Sequence, residues 1–139
     1  MPIYFHNEGV SFLLKNKKAI CLWLVEVINQ EGRILKDINF IFCSDVYLLN
    51  INKSYLKHDY FTDVITFDYS ENKFLSGDVY ISIDRVKDFS KTNKISFREE
   101  IYRVIVHGIL HLCGKNDKTK EEKKEMRKLE DKYLLLKKL

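Results

Sequence analysis

Proline is almost missing from this chain of 139 residues: Pro2 is the only one. No proline-rich linker divides the sequence, and there is no internal repeat or low-complexity stretch. Residues 1–139 are therefore expected to form one domain with a real core. No apolar run approaches the roughly 20 residues of a membrane span, so no membrane partner is expected. The start, Met1-Pro-Ile-Tyr-Phe-His, lacks the basic and apolar regions of a signal peptide, which predicts a cytoplasmic protein. Cysteine is scarce too. Cys21, Cys43 and Cys113 are odd in number, widely spaced and set in apolar runs. They read as reduced core thiols and not as disulfides or a cysteine-rich zinc site.

What is present is a globular composition, 45% hydrophobic and 32% charged, which excludes a disordered chain. The net charge of +4 is compatible with a polyanionic partner without specifying one. A short strand is expected at residues 3–5. Residues 18–30 carry Ile20, Leu24, Val27 and Ile28 at helical spacing, with Gly32 ending the helix. Residues 38–43 read as a strand. Ser44 can cap a helix over residues 45–56 that buries Leu48, Leu49 and Tyr55. Residues 63–68 and 78–83 read as strands, the second alternating with Val79, Ile81 and Ile83 on one face, and residues 69–77 as a hairpin or loop. Ser96-Phe-Arg-Glu99 and Thr119-Lys-Glu-Glu122 have the form of capping boxes opening the last two helices. The last places Met126, Leu129, Tyr133 and Leu136 on one stripe. The fold class predicted is α+β, a small mixed sheet packed with helices.

The most informative segment is His107-Gly-Ile-Leu-His-Leu-Cys-Gly-Lys-Asn-Asp117. Residues four apart share a helix face, so His107 and His111 can reach one ion. Gly114 stands where a helix end wants a left-handed residue, and the chain can turn back there to bring Asp117 under the imidazoles. Three protein ligands with an open position are the usual set of a catalytic zinc. A pair of histidines at this spacing is often coincidence. Here it lies in Val104-Ile-Val-His-Gly-Ile-Leu-His-Leu-Cys, apolar nearly all round and hence buried, and two buried imidazoles need partners. Gly108 weakens the helix relative to alanine by about 1 kcal/mol and is a place for close approach. It also occupies the position where His-Glu-x-x-His peptidases carry their general base, so peptide hydrolysis in that manner lacks its base.

These residues resemble the metal signature of the YbeY-type endoribonucleases, the ribosomal RNA maturation factors: His-Gly-x-Leu-His-Leu-x-Gly, two further residues, then a third ligand. Leu49-Asn50 through Tyr55 with Thr62-Asp63-Val64-Ile65-Thr66-Phe67 is similar to a second block of that family, and Gly77-Asp78-Val79-Tyr80-Ile81 to a third. Met126 and Glu130 fall where the family has its Met…Glu pair. The resemblance runs over residues 34–136. It implies a zincin-like fold with a central metal helix and one zinc per chain, another divalent transition metal being the alternative that two imidazoles and a carboxylate also suit. It further implies hydrolytic cleavage of single-stranded RNA in small-subunit ribosomal RNA maturation and ribosome quality control, with the ribosomal small subunit and its assembly factors as partners. Two positions depart from the commonest pattern: Asp117 stands where the third ligand is usually histidine, and Leu56 where arginine is common.

With metal as Lewis acid, two routes stay open, attack of water on phosphorus or of the RNA 2′-hydroxyl. Asp63 and Asp78 are candidates to orient a histidine N–H or a loop backbone, with turn and strand-end capping as the alternative. Lys57, His58 and Lys115 are candidate RNA contacts. A metal-binding assembly factor with little nuclease activity and a zinc-dependent hydrolase of another substrate are the competing readings.

Overall fold

The computed structural model describes residues 2–56 and 62–139. The elements run β1 (Ile3–Glu8), α1 (Lys17–Gln30), β2 (Ile34–Cys43), α2 (Asp45–Leu56), β3 (Val64–Asp68), β4 (Phe74–Ser82), α3 (Ile83–Thr92), α4 (Phe97–Leu112) and α5 (Lys120–Leu134). The four strands form one mixed sheet in the order β1-β2-β4-β3. β1 pairs with β2 and β2 with β4 in parallel, and β3 pairs with β4 antiparallel. The fold is α+β, as the sequence predicts.

Strand alternation sorts the side chains onto two faces. Ile38, Phe40 and Phe42 of β2 and Leu75, Val79 and Ile81 of β4 join the main core with the apolar faces of α1 and α4, flanked by α3 and α5. On the opposite face a smaller cluster of Cys43, Leu48 and Ile65 packs under α2, with Ile51, Phe67 and Tyr80 beside it. Helix α4 buries ten residues on nearly every side, Ile101, Val104, Ile105, Gly108, Ile109 and Leu112 among them. It touches α1, α3, α5, β3 and β4, which makes it the central helix. Among the described residues no helix is long and apolar enough to cross a membrane. All three cysteines are free thiols. Burial pushes Cys43 up to about 12 and Cys113 up to about 11, so both stay protonated at neutral pH.

Several boundaries differ from expectation. β2 begins at Ile34 because its first residues pair with Phe74 and Leu75, which the expected loop had left out of β4. α3 was not anticipated. Ile83 continues the alternation of Val79 and Ile81, yet it opens a helix, because the Ser82 hydroxyl accepts from the Arg85 N–H and caps it. In α2 the buried residues are Leu48 and Asn52, whereas Tyr55 is 72% exposed and meets Phe67 edge-on. The Ser96 capping box is half formed: Ser96 accepts from the Glu99 N–H, but the Glu99 carboxylate takes Lys137 instead. The Thr119 box is complete.

Helix α4 lies close on β4. A Cβ added at Gly108 would stand 2.6 Å from Val79 Cγ1, so the close approach expected at this glycine is to a side chain. Alanine there gains about 1 kcal/mol of helix propensity but overpacks the core at a cost of roughly 1–3 kcal/mol, so the clash should win. Gly108→Ala is expected to lower the unfolding free energy in urea by about 1 kcal/mol. Adding Val79→Ala should make the glycine substitution neutral or stabilising. A Gly108→Ala protein as stable as wild type would show that the helix does not seat as described.

Candidate metal centre

Helix α4 is capped by Ser96 at one end and closed by Gly114 at the other. Gly114, at φ +93°, takes the left-handed turn. Its N–H donates to the His111 carbonyl and that of Lys115 to the Leu110 carbonyl, the double bond of a Schellman ending. The chain reverses, and Asp117 returns to the last turn of the helix. Thr119 and Glu122 cap α5 by themselves, so the Asp117 carboxylate faces the histidines.

Three donor atoms converge there. His107 Nε2 and His111 Nε2 lie 3.0 Å apart, and Asp117 Oδ2 lies 3.3 Å from each. Ligands about 2.0–2.1 Å from a tetrahedral zinc stand roughly 3.3–3.4 Å from one another, so the three atoms have the spacing of one face of such a site. Two imidazoles and a carboxylate also suit zinc chemically. The side chains of His107, His111 and Asp117 are 18%, 22% and 35% exposed, which leaves the cluster reachable from solvent. His107, His111 and Asp117 form the only group of metal-ligand type found among the described residues.

The ring of His107 is held from behind. Its Nδ1–H donates to Glu130 Oε2 of α5 at 2.6 Å. Glu130 is itself buried and takes Arg103 through Oε1 at 2.8 Å, and Arg103 also reaches Asp131 at 2.7 Å. A proton fixed on Nδ1 leaves the Nε2 lone pair for a cation. Burial pulls the His107 pKa down, but the hydrogen bond and charge of Glu130, with Asp63 and Asp117, outweigh it and leave the value raised. Burial and the neighbouring His107 lower that of His111, which favours its neutral, ligating form.

The other sequence candidates separate. Asp63 lines the same small cavity as His107 but forms no hydrogen bond to it. Asp78 is turned away: Val79 faces α4, so its neighbour in the strand points to the other side of the sheet, where Asn39 donates to it at 3.2 Å. The orienting carboxylate is Glu130, which sequence reasoning had placed only in a pairing with Met126. The signal was available, because residues 126, 130 and 133 share one buried stripe of α5. Lys115 is half exposed and 3.7 Å from Glu31. Lys57 and His58 lie outside the described residues.

A sequence model of the family described as Endoribonuclease YbeY matches residues 6–137. The chain belongs to the YbeY family. A YbeY relative from Amoebophilus asiaticus, named Endoribonuclease YbeY, is 50% identical over 134 residues, 96% of this chain and 91% of the relative. Another of that name from Cytophaga hutchinsonii is 45% identical over 137 residues, 98% and 96% of the two chains. A solution structure of a Thermotoga maritima protein is similar in fold, with a TM-score of 0.64 and 27% identity, covering 94% of this chain and 85% of that one. The YbeY match takes in every ligand candidate and Glu130.

One buried group near the centre remains. Glu100, 5% exposed, sits on α4 two turns before His107. Burial, opposed by Arg103, pushes its carboxyl up to about 7 from an ordinary 4.5. The folded value exceeds the unfolded one, so this group opposes folding once ionised: its penalty is absent below pH 4.5 and grows as pH rises to about 7. Glu100→Gln should remove it. In urea unfolding, the stability of the variant relative to wild type is expected to rise across that range by roughly 3 kcal/mol. A difference constant with pH would contradict a buried, uncompensated carboxylate.

Proposed function

We propose that this protein is a metal-dependent endoribonuclease, acting as one domain on single-stranded RNA in small-subunit ribosomal RNA maturation and ribosome quality control. His107, His111 and Asp117 would hold one zinc ion. The observation that carries the reading is the convergence of these three donors at 3.0–3.3 Å in a member of the YbeY family, whose curated relatives bear the name Endoribonuclease YbeY. The ribosomal small subunit and its assembly factors follow from the same resemblance.

A zinc ion held there would supply a Lewis acid to water and to a phosphoryl oxygen. The remaining work belongs to the chain. Glu130 keeps the proton on His107 Nδ1 and prevents the ring from turning. Arg103 holds Glu130 in place and compensates its burial. Gly108 supplies no base beside His107, which favours a phosphodiester over a peptide bond as substrate. Arg127, exposed and lining the cavity beside His107, and the half-exposed Lys115 are the cations we assign to phosphate contact, with Lys57 and His58 as further candidates.

The test combines metal analysis with cleavage of single-stranded RNA before and after chelation. One metal per chain is expected. His107→Ala and His111→Ala should lose it, Asp117→Ala should bind it far more weakly, and Asp117→His should largely retain it. Full occupancy in the alanine variants would remove the site. Cleavage should stop on metal removal, return with zinc, and weaken as salt rises because phosphate contacts release counterions. Cleavage that survives verified metal loss would overturn the metal-dependent reading. Leu56, where arginine is common in the family, favours a second reading, an assembly factor with little nuclease activity. A fully metallated protein that cuts no RNA would select it.

A further inference from the structure

Helix α5 separates its charges by flank. At 3.6 residues per turn, Lys120, Lys123, Lys124 and Arg127 stand at i, i+3, i+4 and i+7 and share one flank, beside the buried stripe of Met126, Glu130 and Tyr133. All four are exposed, and none has an ion-pair partner among the described residues. The acidic residues of the helix are committed elsewhere. Glu122 closes the Thr119 capping box, Glu130 holds His107, and Asp131, on the same flank as the four cations, is taken by Arg103. Glu121 and Glu125 fall on the opposite flank, where Lys128 lies 3.6 Å from Glu125 and Lys132 stands over the Tyr133 ring. Like charges three and four residues apart weaken a helix, so the folding of α5 gives no reason for this row of cations. The row also has an address. Arg127, at one end, lines the cavity beside His107. Lys120, at the other, opens the helix three residues after Asp117. Both ends are thus tied to the donor cluster, and about 10 Å of helix lies between them.

We propose that this flank of α5 is a track for the phosphates of single-stranded RNA and holds the strand on one side of the cleaved bond. The inference rests on the endoribonuclease reading above. Exposed lysines meet phosphates as point charges on flexible stems, so a row of them takes a flexible backbone irrespective of its sequence. The repulsion along the row falls when phosphates come to lie against it, and the counterions that the strand had gathered are released. Phe89 of α3, 42% exposed, lines the same cavity as Arg127. It offers a ring on which an unpaired base can stack, which favours a single strand over a duplex. Because Arg127 and His107 share that cavity, a backbone lying on the track arrives at the donor cluster.

The test is binding of metal-loaded protein to a labelled single-stranded oligonucleotide with 2′-O-methyl riboses, verified intact afterwards, over a range of salt concentrations. The track variant Lys120→Gln/Lys123→Gln/Lys124→Gln should flatten the plot of log affinity against log salt by roughly 2 in slope, because each phosphate contact on a single strand contributes about 0.7. The control variant Lys128→Gln/Lys132→Gln/Lys138→Gln removes the same charge from other exposed positions and should nearly keep the wild-type slope. Equal slopes in the two variants would reduce the effect to net charge and overturn the track. Tighter binding of duplex RNA than of the single strand would overturn the choice of partner. With like charges removed, the track variant should melt no lower than wild type, and a lower melting temperature would assign the lysines to the fold instead. In cleavage of unmodified RNA the effect of the track variant should fall on KM. A flattened slope in a protein that cuts no RNA would sustain the track and defeat the nuclease reading. RNA cleavage with the same KM in the track and control variants would defeat the track alone.

Discussion

Helix α4 lies on β4 with no room for a side chain between Gly108 and Val79, and the position of both imidazoles follows from that contact. One face of the helix is pinned to the sheet by Gly108 together with Val104, Ile105, Ile109 and Leu112, all buried. At 3.6 residues per turn this places His107 and His111 along one edge of the buried surface. There they are sheltered enough to be held and open enough to be reached. A residue larger than glycine would lift the helix, and with it the two ligands that have to meet a third from outside the helix.

The third donor comes from a turn whose shape is decided by the backbone. Gly114 permits the left-handed step that satisfies two carbonyls at the helix end, and three residues later Asp117 faces back. The Thr119 cap then starts α5 at once. That helix returns along α4 and brings Glu130 to the Nδ1 of His107. The turn thus serves the site twice, supplying a ligand and aiming the helix that orients another. The pairing of Arg103 with Glu130 and Asp131 lets Glu130 be buried as a charge. A carboxylate without such a partner would gain a proton and lose its hold on the ring.

Glu100 shows the contrast on the same helix. It is as buried as Glu130, but its Oε1 has no hydrogen-bond donor, and burial outweighs the charges of Arg103 and Arg127 to raise its carboxyl to about 7. Arg103, one turn further along α4, donates its hydrogen bonds to Glu130 and Asp131 of α5 and acts on Glu100 only through its charge. The fold therefore satisfies the carboxylate behind His107 and leaves the other with a buried oxygen unpaired, an arrangement that costs stability.

The amino-acid sequence by itself determined the elements whose cause is local. The i, i+4 histidines, Gly114 at the helix end, the Thr119 box and the apolar periodicity of α1 and α4 all act within one or two turns, so the ligand set could be written down before any packing was known. It also carried the family signature. Long-range pairing was decided only by the tertiary structure. The first residues of β2 are strand because β4 lies beside them. Ile83 belongs to α3 because a serine cap ended the alternation of β4. Asp78, close to the signature blocks in sequence, faces the wrong side of the sheet, while Glu130, 23 residues beyond His107, touches it. A side chain's face is fixed by its own strand or helix, but its partner is fixed by which elements pack together, and that depends on burying the whole core at once.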